Sequence, residues 1–155
     1  MLNRRTLLGA FSALAMLAAA HGPVVAQENY DIALISKGFQ HQFWQAVKAG
    51  ADKAAAEFGV TVTFEGPETE TQVDRQMDML AAALSRKPSA IGFAALDSQA
   101  ASPLLQQAKD AGIPIIAFDS GVDSDIPLTT VTTDNVAAAA LAADKMAELI
   151  GDGGK

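Results

Sequence analysis

The chain has 155 residues, half of them apolar, with no cysteine, two histidines and a formal net charge of −7. That acidity opposes binding to nucleic acid or anionic lipid. The missing cysteine excludes disulfides and a cysteine-linked lipid, and a lone histidine after residue 26 argues against a closed zinc site.

Arg4 and Arg5 open a positive n-region, Leu7 to Ala20 form an apolar h-region, and Val24-Val25-Ala26 is a small-residue cleavage site. This is the pattern of a cleaved export signal over residues 1–26, by the Sec or the twin-arginine route, with the periplasm as destination. A membrane anchor needs roughly 20 apolar residues, and here His21, Gly22 and Pro23 interrupt the run. Cleavage after Ala26 leaves 129 residues, and taking Arg4 and Arg5 from the 11 basic residues leaves 9 against 18 acids, a net −9. One domain over residues 27–155 is the expectation.

Ile32 to Ser36 is an apolar run of strand length, buried on both faces. A loop with Lys37, Gly38 and His41 follows, then a helix from Phe43 to Phe58 whose Trp44, Val47, Ala51, Ala55 and Phe58 share a face. Gly59 is placed as its left-handed stop. Val60 to Phe64 is a second strand and Thr71 to Ser85 a second helix, with Val73, Met77, Leu80, Ala81 and Leu84 at helical spacing. Ala90 to Ala95 is a third strand, ending near Asp97 and Ser98. Ser102 as N-cap and Pro103 at the first helical position open a third helix closed by Gly112. Pro114 to Phe118 is a fourth strand running into Asp119, and Leu128 to Thr132 a weaker fifth. Asp134 or Asn135 caps a last helix from Val136 to Ile150. Strands alternating with helices predict an α/β fold, a three-layer Rossmann-like lobe with a parallel sheet flanked by helices on both faces.

The sequence argues against most common enzymes. One histidine and no Gly-x-Ser-x-Gly elbow leave no serine triad, and the glycines form neither Gly-x-Gly-x-x-Gly nor Gly-x-x-x-x-Gly-Lys. No cofactor is expected. What remains is a set of polar and aromatic residues at successive strand ends: Lys37, His41, Phe43 and Trp44 after the first strand, Asp97 and Ser98 after the third, Asp119 after the fourth, Thr133 to Asn135, with Asp134 between them, after the fifth. Carboxylates serve hydroxyl groups and aromatic rings cover C–H faces, an inventory that suits a monosaccharide or related polyol. Each residue also has a plainer role: Trp44 as core, His41 as a turn cap, Asp119 on turn amides, Asp134 as helix cap.

Ile32 to Lys37, His41-Gln42-Phe43-Trp44, Gly50-Ala51, Asp97-Ser98, Ala111 to Asp119 and Thr132 to Asn135 together resemble the amino-terminal half of the periplasmic sugar-binding proteins of ABC importers, the ribose-binding-protein group. The resemblance implies that Phe43 and Trp44 stack on a sugar ring, that Asp119 accepts from its hydroxyls, and that Thr133 and Asp134 line the cleft. It implies an inner-membrane permease as partner, and a chemoreceptor is compatible with it. His41 replaces a frequent asparagine, Lys37 a small polar residue and Ala94 a ligand-binding asparagine, departures that argue against ribose itself. Lys37 is expected to favour a ligand with extra acceptor oxygens, such as a sugar acid or an oxidised or hydrated furanose.

Family members have two such lobes, so the chain is expected to carry the first lobe alone, with an unpaired sheet edge and exposed apolar surface. The rival readings are the effector-binding core of a LacI-like repressor, against which an export signal stands where a basic helix-turn-helix belongs, and a small flavodoxin-like enzyme.

Overall fold

The computed structural model describes residues 29–151, and the expected export signal lies outside them. Its elements are β1 (Asp31–Ile35), α1 (Gln42–Phe58), β2 (Thr61–Glu65), α2 (Val73–Ser85), β3 (Ala90–Phe93), α3 (Ser102–Asp110), β4 (Ile115–Phe118), β5 (Thr130–Val131) and α4 (Asn135–Ile150). The strands form one parallel sheet in the order β2-β1-β3-β4-β5. Strand order reverses between β1 and β3, so the crevice between their carboxyl ends is the topological switch point where ligands of open α/β sheets bind.

Strand residues alternate between the faces. Ala33, Ile35, Ile91, Phe93 and Ile115 turn one way and join Leu80 and Ala83 of α2 and Leu105 and Ala108 of α3 in the apolar core. Leu34, Gly92 and Ile116, aligned by the strand register, turn the other way. Phe118 shares that side, and Trp44 of α1 meets it edge-on at 6.3 Å. Helices thus flank both faces, as the alternating pattern predicts.

Most element ends follow local chemistry. Gly59 ends α1 at φ 65°, and Gly112, at φ 72°, follows α3. The expected N-cap at Ser102 is corrected: Ala101 is the N-cap and Ser102 is already helical. The reason lies upstream, where Asp97 Oδ1 accepts from the Gln99 and Ala100 amides and the Ser102 amide donates to the Gln99 carbonyl. The turn is wound before Ser102 is reached. At the other edge, β5 shrinks to two exposed residues, and every residue of α4 is exposed, including Val136, Leu141 and Leu149.

Candidate functional site

At the carboxyl end of β1, Ser36 is buried and its hydroxyl donates to the Gly38 carbonyl at 2.6 Å. Gly66, in the loop after β2, packs so closely that an added Cβ would lie 2.2 Å from Ser36 Oγ and 2.6 Å from the Gly38 carbonyl oxygen. Gln76 of α2, fully buried, fills the crevice between β1 and β3. Its amide donates to the Ser36 and Ala94 carbonyls at 2.9 and 2.8 Å and accepts from the Leu96 amide at 3.0 Å. A fully satisfied buried amide stiffens both strand ends, and it occupies the switch point itself. Open space therefore lies to one side, over β4 and β5.

The loop then reaches α1. His41 caps it, its Nδ1 accepting from the Phe43 amide at 3.2 Å, which requires that nitrogen unprotonated. Phe43 and Trp44 meet edge to face at 4.8 Å but have opposite surroundings. Successive helical residues diverge around the axis, so Phe43 is 47% exposed while Trp44 is 1% exposed beneath it. The Trp44 indole N–H donates to Glu70 Oε1 at 2.8 Å. Trp44 thus supports the site from below, and Phe43 is the ring on the surface.

Asp119, immediately after β4, has φ 60°, the left-handed region that a non-glycine residue seldom adopts. Its amide donates to the Val131 carbonyl at 2.9 Å and its carbonyl accepts from the Thr132 hydroxyl at 2.8 Å. Oδ2 accepts from Ser120 Oγ at 3.1 Å and lies 2.8 Å from Lys37 Nζ. The Lys37 ammonium also sits 5.8 Å from the Trp44 ring centroid, a cation–π contact.

Phe43, Val47, Phe118, Asp119, Val131, Thr132 and Thr133 line a hollow of about 390 Å³. Its wall is apolar on the Phe43, Val47, Phe118 and Val131 side and polar at Asp119 and the two threonines. Of the residues singled out from the sequence, Phe43, Asp119 and Thr133 line this hollow and Lys37 joins it through Asp119. Trp44 lies under it. His41 and Asp134 are helix caps outside the lining, Asp134 accepting from the Ala137 amide at 2.9 Å.

The sequence reading missed Val47, Phe118, Val131, Thr132, Gln76 and Glu70. Phe118 and Val131 carried a signal, since each ends a strand beside a polar residue. A larger groove of about 780 Å³ lies at the opposite end, around Leu84, Lys87, Ser89 and Gly112, where β3 and β4 begin. Its position is the wrong one for a ligand site of this fold.

The family model described as periplasmic binding protein domain matches residues 32–155. The D-apiose import binding protein of Actinobacillus succinogenes is 28% identical over 145 residues, covering 93% of this chain and 46% of that protein. An ABC transporter solute-binding protein of Agrobacterium vitis, solved with bound D-fucose, aligns at TM-score 0.72 and 37% identity over 78% of this chain and 43% of that one. A Brachyspira murdochii protein described as an ABC transporter, LacI family transcriptional regulator, aligns at TM-score 0.73 and 43% identity, over 79% of this chain and 39% of that one. The chain spans less than half the length of these relatives.

Proposed function

We propose that this chain, which belongs to the periplasmic binding protein domain family, is the first lobe of a non-catalytic solute-binding component of an ABC importer. Its ligand is a monosaccharide or related polyol, held at the carboxyl ends of β4 and β5 and enclosed when a second lobe closes over the hollow. The export signal at residues 1–26 delivers it to the periplasm. There the closed form presents the ligand to an inner-membrane permease, with a chemoreceptor as a further reader of the same closed state.

The observation that carries this reading is the composition of the hollow. Phe43, Phe118 and Val131 offer an apolar wall for C–H groups, while Asp119 Oδ1, which makes no hydrogen bond to the described residues, offers an acceptor beside two threonine hydroxyls. One lobe supplies only part of the contacts, so affinity is expected in the millimolar range, about −4 kcal/mol.

Titration of the 15N-labelled chain with D-fucose, D-apiose and other monosaccharides tests it. Shift changes are expected at Phe43, Phe118, Asp119 and Thr133 and not at Leu84 or Gly112. Changes centred on Leu84 and Gly112, or none with any sugar, would overturn the proposal.

A further inference from the structure

We infer that the Lys37–Asp119 ion pair selects neutral polyhydroxylated ligands and rejects their carboxylate-bearing counterparts. The inference rests on the sugar-binding reading and narrows its ligand class. The position of Lys37 in the sequence suggests a cation waiting for an acidic ligand, but its geometry assigns it differently. Its ammonium is already 2.8 Å from Asp119 Oδ2 and lies over the Trp44 ring.

The partner is held in place. Asp119 is tied through its amide to Val131, through its carbonyl to Thr132 Oγ1 and through Oδ2 to Ser120 Oγ, at a left-handed φ that leaves its backbone little room to swing. Together with Lys37, the residues lining the hollow supply one cation and one anion, already matched.

A neutral polyol keeps that match. One hydroxyl donates to Asp119 Oδ1, and a neighbouring hydroxyl oxygen accepts one of the remaining Lys37 N–H groups, so both charges stay paired while each gains a charge-assisted bond. A ligand carboxylate faces two unfavourable choices. It sits unpaired beside the Asp119 carboxylate, or it draws Lys37 away and leaves Asp119 unpaired in a partly buried site. Specificity here comes from the repulsive element as much as from the attractive one. The side chains of Lys37 and Asp119 are 22% and 28% exposed, so solvent screening keeps the discrimination moderate, at about tenfold rather than a thousandfold.

The test uses matched sugars in the same NMR titration: D-fucose against D-galacturonate, which share ring configuration and differ at the exocyclic carbon, methyl against carboxylate, and D-glucose against D-glucuronate. The wild-type chain is expected to bind the neutral member about tenfold more tightly. Asp119→Asn, which leaves the Lys37 charge uncompensated, is expected to erase or reverse that preference even as neutral affinity falls. Lys37→Met is expected to widen it.

A purely structural role for the pair would weaken both ligands alike and leave the ratio unchanged, and amide spectra show whether each variant is folded. An acid bound as tightly as its neutral match by wild type, or an unchanged ratio in folded Asp119→Asn, would overturn the inference while leaving the sugar-binding reading intact. A well-dispersed wild-type spectrum that responds to no sugar would overturn both.

Discussion

The indole N–H of Trp44 donates to Glu70 Oε1 at 2.8 Å, joining the start of α1 to the loop between β2 and α2 directly beneath the exposed Phe43 ring. With its ring buried and its polar edge satisfied, Trp44 packs beneath Phe43 rather than on the surface. Trp44→Ala is expected to cost about 3–5 kcal/mol. Glu70→Ala, which leaves a buried indole donor without its partner, should cost about 1–3 kcal/mol, and Glu70→Gln, which keeps an acceptor oxygen, less than either. Urea unfolding measures all three. An unaltered midpoint in Glu70→Ala would show that the bond does not support the packing.

Gln76 does for the strand ends what Glu70 does for the indole. Gln76→Leu removes the partner of the Ser36 and Ala94 carbonyls and of the Leu96 amide at one stroke, and is expected to destabilise the fold by about 2–4 kcal/mol. Gln76→Glu retains an acceptor for Leu96 but has no amide to donate to the two carbonyls, so it should fail nearly as badly. Hydrogen exchange gives the local signature, with the Leu96 amide losing protection in both variants ahead of amides in the middle of β3. Uniform loss of protection throughout the sheet would mean that Gln76 acts on global stability alone.

Elements whose signals are local were legible in the sequence. The first four strands, Gly59 as a left-handed stop and the cap at Asp134, one of the two residues the pattern offered, each depend on a few neighbours and stand where the pattern placed them, whereas the fifth strand keeps only Thr130–Val131. Ser102 does not cap α3 because Asp97, five residues earlier, already organises the turn. The Lys37–Asp119 pair was not legible as a contact: the residues are far apart in the chain, and only the strand order β1-β3-β4 brings their loops together.

Trp44 and Phe43 were legible as an aromatic pair, but which ring faces outward depends on how α1 is rotated over the sheet. Gln76 left a readable trace. It shares a helical stripe with Leu80 and Ala83, all three buried, whereas the apolar pattern runs through Val73, Met77, Leu80, Ala81 and Leu84, so that only Leu80 is common to both.

Two glycines are expected to answer oppositely to the same substitution. At Gly66 a methyl group would collide with Ser36 Oγ and with the backbone of Gly38, neither of which has room to withdraw, while at Gly50 in α1 nothing lies within 4 Å of an added Cβ. Gly66→Ala should therefore destabilise by about 1–3 kcal/mol, typical of overpacking, and displace the Lys37 loop. Gly50→Ala should stabilise by about 0.4–1 kcal/mol through the unfolded chain's lost freedom. Thermal midpoints of the pair settle it, and a Gly66→Ala protein as stable as the parent would refute the close approach of the two loops.

Asp97 gives the fold an acid-sensitive component. Its Oδ1 accepts from the Gln99 and Ala100 amides, and those bonds hold the carboxyl below its ordinary value of 3.8. A folded-state value below the unfolded one means that the unfolded chain binds the proton more readily. The contribution is therefore fully present above the unfolded value and is lost as pH falls through the lower folded one.

Asn at this position can still accept from the same amides, but without the charge that strengthens the bonds. Asp97→Asn is thus expected to melt at a lower temperature than the parent near neutrality, with the difference closing as both are taken below pH 3.8. The comparison is made within the pair because other carboxylates contribute to acid unfolding in both proteins alike. A melting-point difference that stays constant from neutrality into acid would assign the Asp97 turn to shape alone and remove charge from the account of how α3 begins.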